Sequence, residues 1–233
     1  MLLGIGSIIR RARPNCVVWG SGIKTFHDSM ESRGATVLAV RGYITQEWLL
    51  KNGAIDRSQA ISFGDPALLA PIYWPAPGVR KWEVGVVPHF MELEAIRKSQ
   101  LPSQWRLIEV TQDPVSVIDE IACCSLIVSS SLHGLIVANA YRIPSVWVKW
   151  SNAICQNGGE AKYLDYIESI GAGISVPLDL QNNDLSDERV QRRLVEDQAL
   201  RIVAGTNLVE MQRGLLASFP GKITRISSEM LRS

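Results

Sequence analysis

Short apolar runs rich in Val and Ile, each ending on a small or chemically active residue, recur along these 233 residues and limit the available folds more than any other feature. Val17-Val18-Trp19 ends in Gly20-Ser21-Gly22, Ala35 to Val40 in Arg41-Gly42, and Val84 to Val87 in Pro88-His89. Leu107-Ile108-Glu109-Val110, Leu126-Ile127-Val128 and Val146-Trp147-Val148 continue the series. A strand with one wet face alternates apolar and polar residues. Near-continuous apolar strands need cover on both faces, which helices on either side of a parallel sheet provide. The expected class is therefore α/β.

The intervening segments read as helices. Thr45 is placed to cap Gln46 to Lys51, which stops at Asn52-Gly53. Asp113-Pro114 opens a helix over Val115 to Ala122, with Asp at the cap and Pro in the first turn. Leu132 to Tyr141 is a mostly apolar helix stopped before Pro144. From Ser186 to about Leu216 the pattern changes to one or two longer amphipathic helices with no strand between them. Pro71-Ile72-Tyr73-Trp74-Pro75-Ala76-Pro77-Gly78 suits neither a helix interior nor a central strand and marks a boundary. The expected division is a first lobe over 1–82, a second over 83–180 and a helical tail over 181–233.

With 24 Lys+Arg against 23 Asp+Glu the chain lacks the basic excess of a dedicated nucleic-acid binder, so an anionic ligand must be held by a few placed groups. Cys16, Cys123, Cys124 and Cys155 form no Cys-x-x-Cys pair and read as reduced thiols of a cytoplasmic protein. The apolar start, Met1 to Ile9, precedes Arg10, Arg11 and Arg13, the reverse of a secretory signal, and falls short of the roughly 20 residues needed to span a bilayer. It reads first as a strand and a solvated turn. An apolar segment beside three arginines also suits peripheral contact with an anionic membrane face.

Open parallel sheets bind ligands at the carboxyl ends of their strands. Ser129-Ser130-Ser131-Leu132-His133-Gly134 places hydroxyls at a strand end and an imidazole in the first turn of a helix. The unpaired backbone N–H groups of Ser131, Leu132 and Gly134 would suit a phosphate or carboxylate, with His133 adding a proton donor. His89 leaves its strand through Pro88 and suits acid–base work in a cleft; it also reads as an ordinary loop histidine. Ser21 and Gly22 sit in a turn with room for close backbone approach, though not in a dinucleotide fingerprint. Arg41 ends an apolar strand, where a planar fork can hold a carboxylate or phosphate; a salt bridge to an acid such as Glu47 is the equal alternative. No His-Glu-x-x-His or Cys/His set indicates a metal, and no Gly-x-Ser-x-Gly elbow indicates a serine hydrolase. Cys123 and Cys124 read as packing residues.

Taken together these segments resemble the polysaccharide pyruvyl transferase family, in particular its bacterial exopolysaccharide branch. The likeness is carried by Leu3-Gly4-Ile5-Gly6-Ser7 with Val18 to Gly22, by Val40-Arg41-Gly42, by Gly64-Asp65-Pro66-Ala67-Leu68-Leu69 and by Gly85 to His89. Ser129 to Ile136 running on through Pro144, and Ala161-Lys162-Tyr163-Leu164-Asp165-Tyr166, complete it. The resemblance implies two Rossmann-like lobes in a GT-B-like arrangement. It implies a transferase that moves the carboxyvinyl group of phosphoenolpyruvate onto a hexose diol of an exopolysaccharide repeat, forming a pyruvate ketal and releasing phosphate. No cofactor is implied beyond phosphoenolpyruvate as donor substrate, and the implied acceptor is a lipid-linked oligosaccharide.

In that chemistry His133 and His89 take the catalytic roles. Arg41, Ser21, Gly22, Ser131, Leu132, Gly134 and Lys162 take the substrate. Some branches carry an arginine where Ser131 stands, so its contact is expected to pass to Arg41 or Arg142. Family members usually begin with a further strand and a Gly-Asp loop, so the first lobe is expected to be shortened. Two other readings share the shape: a GT-B-like glycosyltransferase using a nucleotide sugar, and a non-catalytic subunit of a polysaccharide-assembly complex that docks through the segment from Ser186.

Overall fold

The structure, a computed structural model, describes residues 1–30, 33–152, 158–174, 176–181, 185–203, 205 and 207–221. In chain order the elements are β1 (Leu2–Leu3), β2 (Val17–Trp19), β3 (Thr36–Val40), α1 (Tyr43–Lys51), β4 (Ser62–Phe63), α2 (Ala70–Tyr73), β5 (Trp82–Val87), α3 (Leu93–Ile96) and β6 (Trp105–Leu107). Then come α4 (Pro114–Ala122), β7 (Cys124–Ser129), α5 (Leu132–Ala140), β8 (Ser145–Lys149), α6 (Ala161–Ser169), β9 (Leu178–Asp179), α7 (Glu188–Glu196), β10 (Arg201–Ile202) and α8 (Asn207–Ser218). The α/β class holds, with parallel pairing in two separate sheets.

The chain divides into two compact units. Met1–Ile72, Asn157–Gly173 and Gly205–Ser233 form the first; Tyr73–Gln156 and Ile174–Ala204 form the second. The chain thus leaves the first unit at the Pro-rich stretch and returns to it twice. The stretch 181–233 is not a separate helical tail, because its elements are shared out. In the second unit β10 pairs antiparallel with β8. In the first, α8 buries Leu208, Met211 and Leu215, accepts a bond from Trp19 Nε1 at the Leu215 carbonyl and donates one from Gln212 to the Leu68 carbonyl. The strand between these helices is two residues long, too short for a hydrophobic period to reveal.

The first unit's sheet runs β1-β2-β3-β4, all parallel. Val18, Val37 and Val40 pack there with Trp48 and Leu49 of α1. α1 starts earlier than the Thr45 cap predicts, with Gly42 at the cap position. Thr45 is instead fully buried, and its hydroxyl accepts from the Ile23 N–H and donates to Asp165.

The second unit's sheet runs β10-β8-β7-β5-β6, parallel except for β10, with β9 also on β8. β6 covers Trp105–Leu107, two to three residues ahead of the apolar run that announced it. Pairing ends soon after Leu107, where Ile108 donates to the Val86 carbonyl. From β5 the chain places β6 on one side and then crosses back, through α4, to place β7 on the other. The strand order therefore reverses between β5 and β7, and the carboxyl ends of these two strands flank the crevice that such a reversal opens. Asp113 caps α4 as expected, accepting from the N–H groups of Val115 and Ser116. α5 has no amphipathic stripe because it is enclosed: every residue from Leu132 to Ala140 is buried except His133.

Candidate functional site

The residues singled out in the sequence fall into two sets, one in each unit. In the first unit, Arg41 ends β3 with no exposed surface. Its Nε and Nη2 both lie 2.9 Å from Asp165 Oδ2, while Nη1 donates to Ser7 Oγ at 2.7 Å and Nη2 to the Ile23 carbonyl at 2.7 Å. Asp165 is equally enclosed and also accepts from the Thr45 N–H at 2.8 Å and the Thr45 hydroxyl at 2.7 Å. The expected ligand-binding fork is thus an internal ion pair. Its partner is an acid 124 positions away rather than Glu47, which faces Arg57 instead.

Ser21 and Gly22 share this fate. The Ser21 hydroxyl is buried, donating to the Gly6 carbonyl and accepting from the Ile8 N–H. A Cβ on Gly22 would stand 2.5 Å from Arg41 Cζ, so glycine is there to admit the guanidinium. Gly42 admits the return of α6 in the same way: a Cβ would lie 1.8 Å from the Asp165 carbonyl oxygen. Three of the six segments that carried the family resemblance therefore interlock at the carboxyl ends of β1, β2 and β3. Lys162, in the first turn of α6, is half-buried with its ammonium 5.0 Å from the centre of the Tyr163 ring. Tyr166 is wholly enclosed; burial, reinforced by the charge of Asp65, pushes its hydroxyl well above the ordinary tyrosine range.

The second set gathers at the β5/β7 reversal. The Ser129 hydroxyl ends β7, lying 2.8 Å from the Val87 carbonyl and accepting from the Ser131 N–H at 3.0 Å. Ser131 stands at the cap position of α5, yet no side chain caps the helix. A Cβ on Gly134 would meet Ser129 Oγ at 2.4 Å and Val87 Cγ1 at 2.9 Å, so glycine lets the first turn of α5 lie directly on the strand ends. On the next strand end His89 is half-buried, its ring 4.6 Å from that of the exposed Phe90. Its Nδ1 accepts from the Met91 N–H at 3.4 Å, which in a neutral imidazole leaves the proton on Nε2. The His89 N–H donates to Ser130 Oγ at 2.9 Å, joining the two strand ends.

Arg142 is not part of this cluster. It follows the far end of α5, about 13 Å along the helix axis from His133 at ~1.5 Å per residue. Glu92 escaped the sequence reading. It is 3% exposed and accepts from Ser130 Oγ at 2.5 Å and Ser151 Oγ at 2.8 Å. Its nearness to His89 in sequence was the one available signal, since a single acid in a loop has no period. Asp165 did lie in a segment noted for its resemblance, but nothing in the sequence tied it to Arg41.

Cys16, Cys123 and Cys124 are buried free thiols, and Cys155 lies outside the described residues. Burial pushes the Cys124 thiol from about 9.0 up to about 12, which keeps it protonated and inert as a nucleophile. Among the described residues no group of three or more His, Cys, Asp or Glu is arranged to hold a metal ion. Also among them, no helix is long and apolar enough to cross a membrane.

Fold and site together define an α/β protein with parallel strand pairing, in which two of the three histidines and the hydroxyls of Ser129 and Ser130 lie where the strand order of the second sheet reverses. Residues 3–152 match the model of the family described as polysaccharide pyruvyl transferase, and the chain belongs to that family. It is 26% identical to uncharacterized protein L143 of Acanthamoeba polyphaga mimivirus over 182 residues, 72% of this chain and 59% of that protein. It is 25% identical to the succinoglycan biosynthesis protein ExoV of Rhizobium meliloti (strain 1021) over 187 residues, 73% of this chain and 54% of that one. The chain thus spans less than two thirds of each of these relatives. No solved structure matches it significantly.

Proposed function

We propose that the chain carries out pyruvyl transfer in exopolysaccharide biosynthesis, with phosphoenolpyruvate as donor and a hexose diol of a lipid-linked repeat unit as acceptor. The observation that carries this reading is the placement of His133. It is the one residue of α5 that is half-buried rather than fully buried, with Nε2 enclosed, and it stands at the uncapped start of that helix on the β5/β7 reversal. The Ser131 N–H, expected to be unpaired, is taken by Ser129 Oγ at 3.0 Å, so the backbone N–H groups of Leu132 and Gly134 are the ones suited to the donor's phosphate or carboxylate, and the positive end of the helix favours the anion.

Ketal formation adds two hydroxyl oxygens to the central carbon of the enol and breaks its bond to the phosphate oxygen. Of the two protons the hydroxyls give up, one goes to the methylene carbon, which becomes a methyl, and the other leaves with phosphate. His133 and His89 are the acid and base for these transfers. Arg41, held by Asp165, keeps the role of a scaffold. The family's name and the printed name of the succinoglycan biosynthesis protein support a polysaccharide acceptor. Exposed Arg10, Arg11 and Arg13, beside the exposed Met1, Leu2 and Ile5, support work at the cytoplasmic face of a membrane.

The test is phosphate release from phosphoenolpyruvate by the wild-type chain and by His133→Ala, with circular dichroism confirming the fold of the variant. Loss of release in the variant is expected, and wild-type release by a folded H133A protein refutes the assignment. A thermal-shift comparison of phosphoenolpyruvate with nucleotide sugars separates this reading from a glycosyltransferase, because only a ligand that binds the native state raises the midpoint.

A further inference from the structure

We propose that Glu92 is a positioning residue for His89, acting through the hydroxyl of Ser130; the proposal rests on the pyruvyl-transfer reading for its catalytic consequence, though not for its geometry. Three hydrogen bonds close a ring around the loop that follows β5. The His89 N–H donates to Ser130 Oγ at 2.9 Å, the Ser130 hydroxyl donates to Glu92 Oε2 at 2.5 Å, and the Glu92 N–H donates back to the His89 carbonyl at 2.8 Å. The other carboxylate oxygen, Oε1, accepts from the Ser151 hydroxyl at 2.8 Å.

Residues at the ends of three neighbouring strands, β5, β7 and β8, are thereby tied to one side chain. That side chain is 3% exposed. Withdrawing a carboxylate from water is costly, and two neutral hydroxyls repay only part of that cost. A glutamate whose work was packing alone would be replaced by an apolar residue with a gain in stability. The geometry makes sense as a clamp on the loop. Glu92 points inward beneath the turn, while Phe90 and Met91 point out into solvent and the His89 ring lies against Phe90. Ser130 sits at the centre of the ring, accepting from the His89 backbone and donating to the acid, so both halves of the clamp depend on its single oxygen.

The experiment is a double-mutant cycle on phosphate release from phosphoenolpyruvate, using Glu92→Ala, Ser130→Ala, His89→Ala and the Glu92→Ala/His89→Ala pair. It is read alongside the imidazole proton–nitrogen NMR signals of the full chain. E92A is expected to lower kcat by about a hundredfold, the scale of a small misplacement of a catalytic group. KM for the donor is expected to stay within about twofold, because the α5 start is untouched. The pair is expected to be no slower than H89A alone, since the two act as one unit. Losses that multiply in the pair, or an unchanged kcat in E92A, overturn the proposal.

The NMR arm decides independently of the reaction. In E92A and S130A the His89 ring signal is expected to shift or broaden while that of the exposed His27 stays in place, and an unmoved His89 signal overturns positioning. Should E92A fail to fold, S130A carries both arms, as it removes one oxygen atom from the ring. A wild-type chain that releases no phosphate would sink the pyruvyl reading and leave the clamp to be judged by the NMR signals alone.

Discussion

Replacing Asp165 by alanine leaves the Arg41 guanidinium charged, enclosed and stripped of its counter-ion. The wild-type carboxylate faces Nε and Nη2 of Arg41 at 2.9 Å and takes two further bonds from Thr45, at 2.8 and 2.7 Å, with both charged side chains at zero exposure. Removing one partner of a buried pair costs about 3–5 kcal/mol, because the remaining charge keeps its desolvation penalty and loses its compensation. For a chain of this size each kcal/mol moves the midpoint by about 2–4 °C, so Asp165→Ala is expected to lower it by about 6–20 °C. Thermal unfolding supplies the total. Amide exchange then locates it, with protection falling in α1 and α6 and holding in β5 and β7. The pair Arg41→Met/Asp165→Leu is expected to be milder than D165A, since no orphan charge remains. A D165A midpoint within about 2 °C of wild type, or a double variant as damaged as the summed singles, would refute this account of the pair.

Three more outcomes follow from single positions. Arg142 holds φ at 55° just past α5, with its own N–H and that of Ile143 closing the helix on the Asn139 and Ala138 carbonyls. Relief of this left-handed strain in Arg142→Gly is expected to raise the midpoint by about 2 °C, and a fall counts against it. Gly134→Ala forces the first turn of α5 off Ser129 and Val87; it is expected to cost about 1–3 kcal/mol and to shrink the thermal shift produced by phosphoenolpyruvate, and an unchanged pair of midpoints argues otherwise. Burial raises Cys124 from 9.0 and Tyr141 from 10.0, each to about 12, so above pH 9 the unfolded chain loses these protons while the folded chain keeps them. Stability must then fall as pH rises from about 9 toward 12, and a urea midpoint that stays level over that range contradicts it.

The strands most readable in the sequence were those buried on both faces. β2, β3, β5, β7 and β8 all announced themselves, because parallel pairing demands unbroken apolar runs. The opening apolar segment was read as a strand, which β1 bears out over two residues; the equally short β4, β9 and β10 gave no period to read, and β6 was displaced because apolar residues continue past the end of its pairing. The site was half legible for a related reason. Ser129 to Gly134 lie next to one another along the chain, and local chemistry gave the helix start and its imidazole directly. Arg41 was noticed for the right reason, a charge at the end of a buried strand, but its partner comes from the other end of the fold. Long-range pairing of single polar residues has no sequence period, which is why Asp165 and Glu92 emerged only in three dimensions.

The excursion of the chain out of the first unit and back sets an order on synthesis. Arg41 is made 124 residues before Asp165, and the whole of β5 to β8 lies between them. At roughly 5–20 residues per second this leaves a nascent first unit with an unneutralised internal cation for about 6–25 s. Over that interval the second unit's central strands are already complete and can pair among themselves. The first unit therefore receives its missing negative charge, on α6, only after the bulk of the second has been made, and α8 completes it later still.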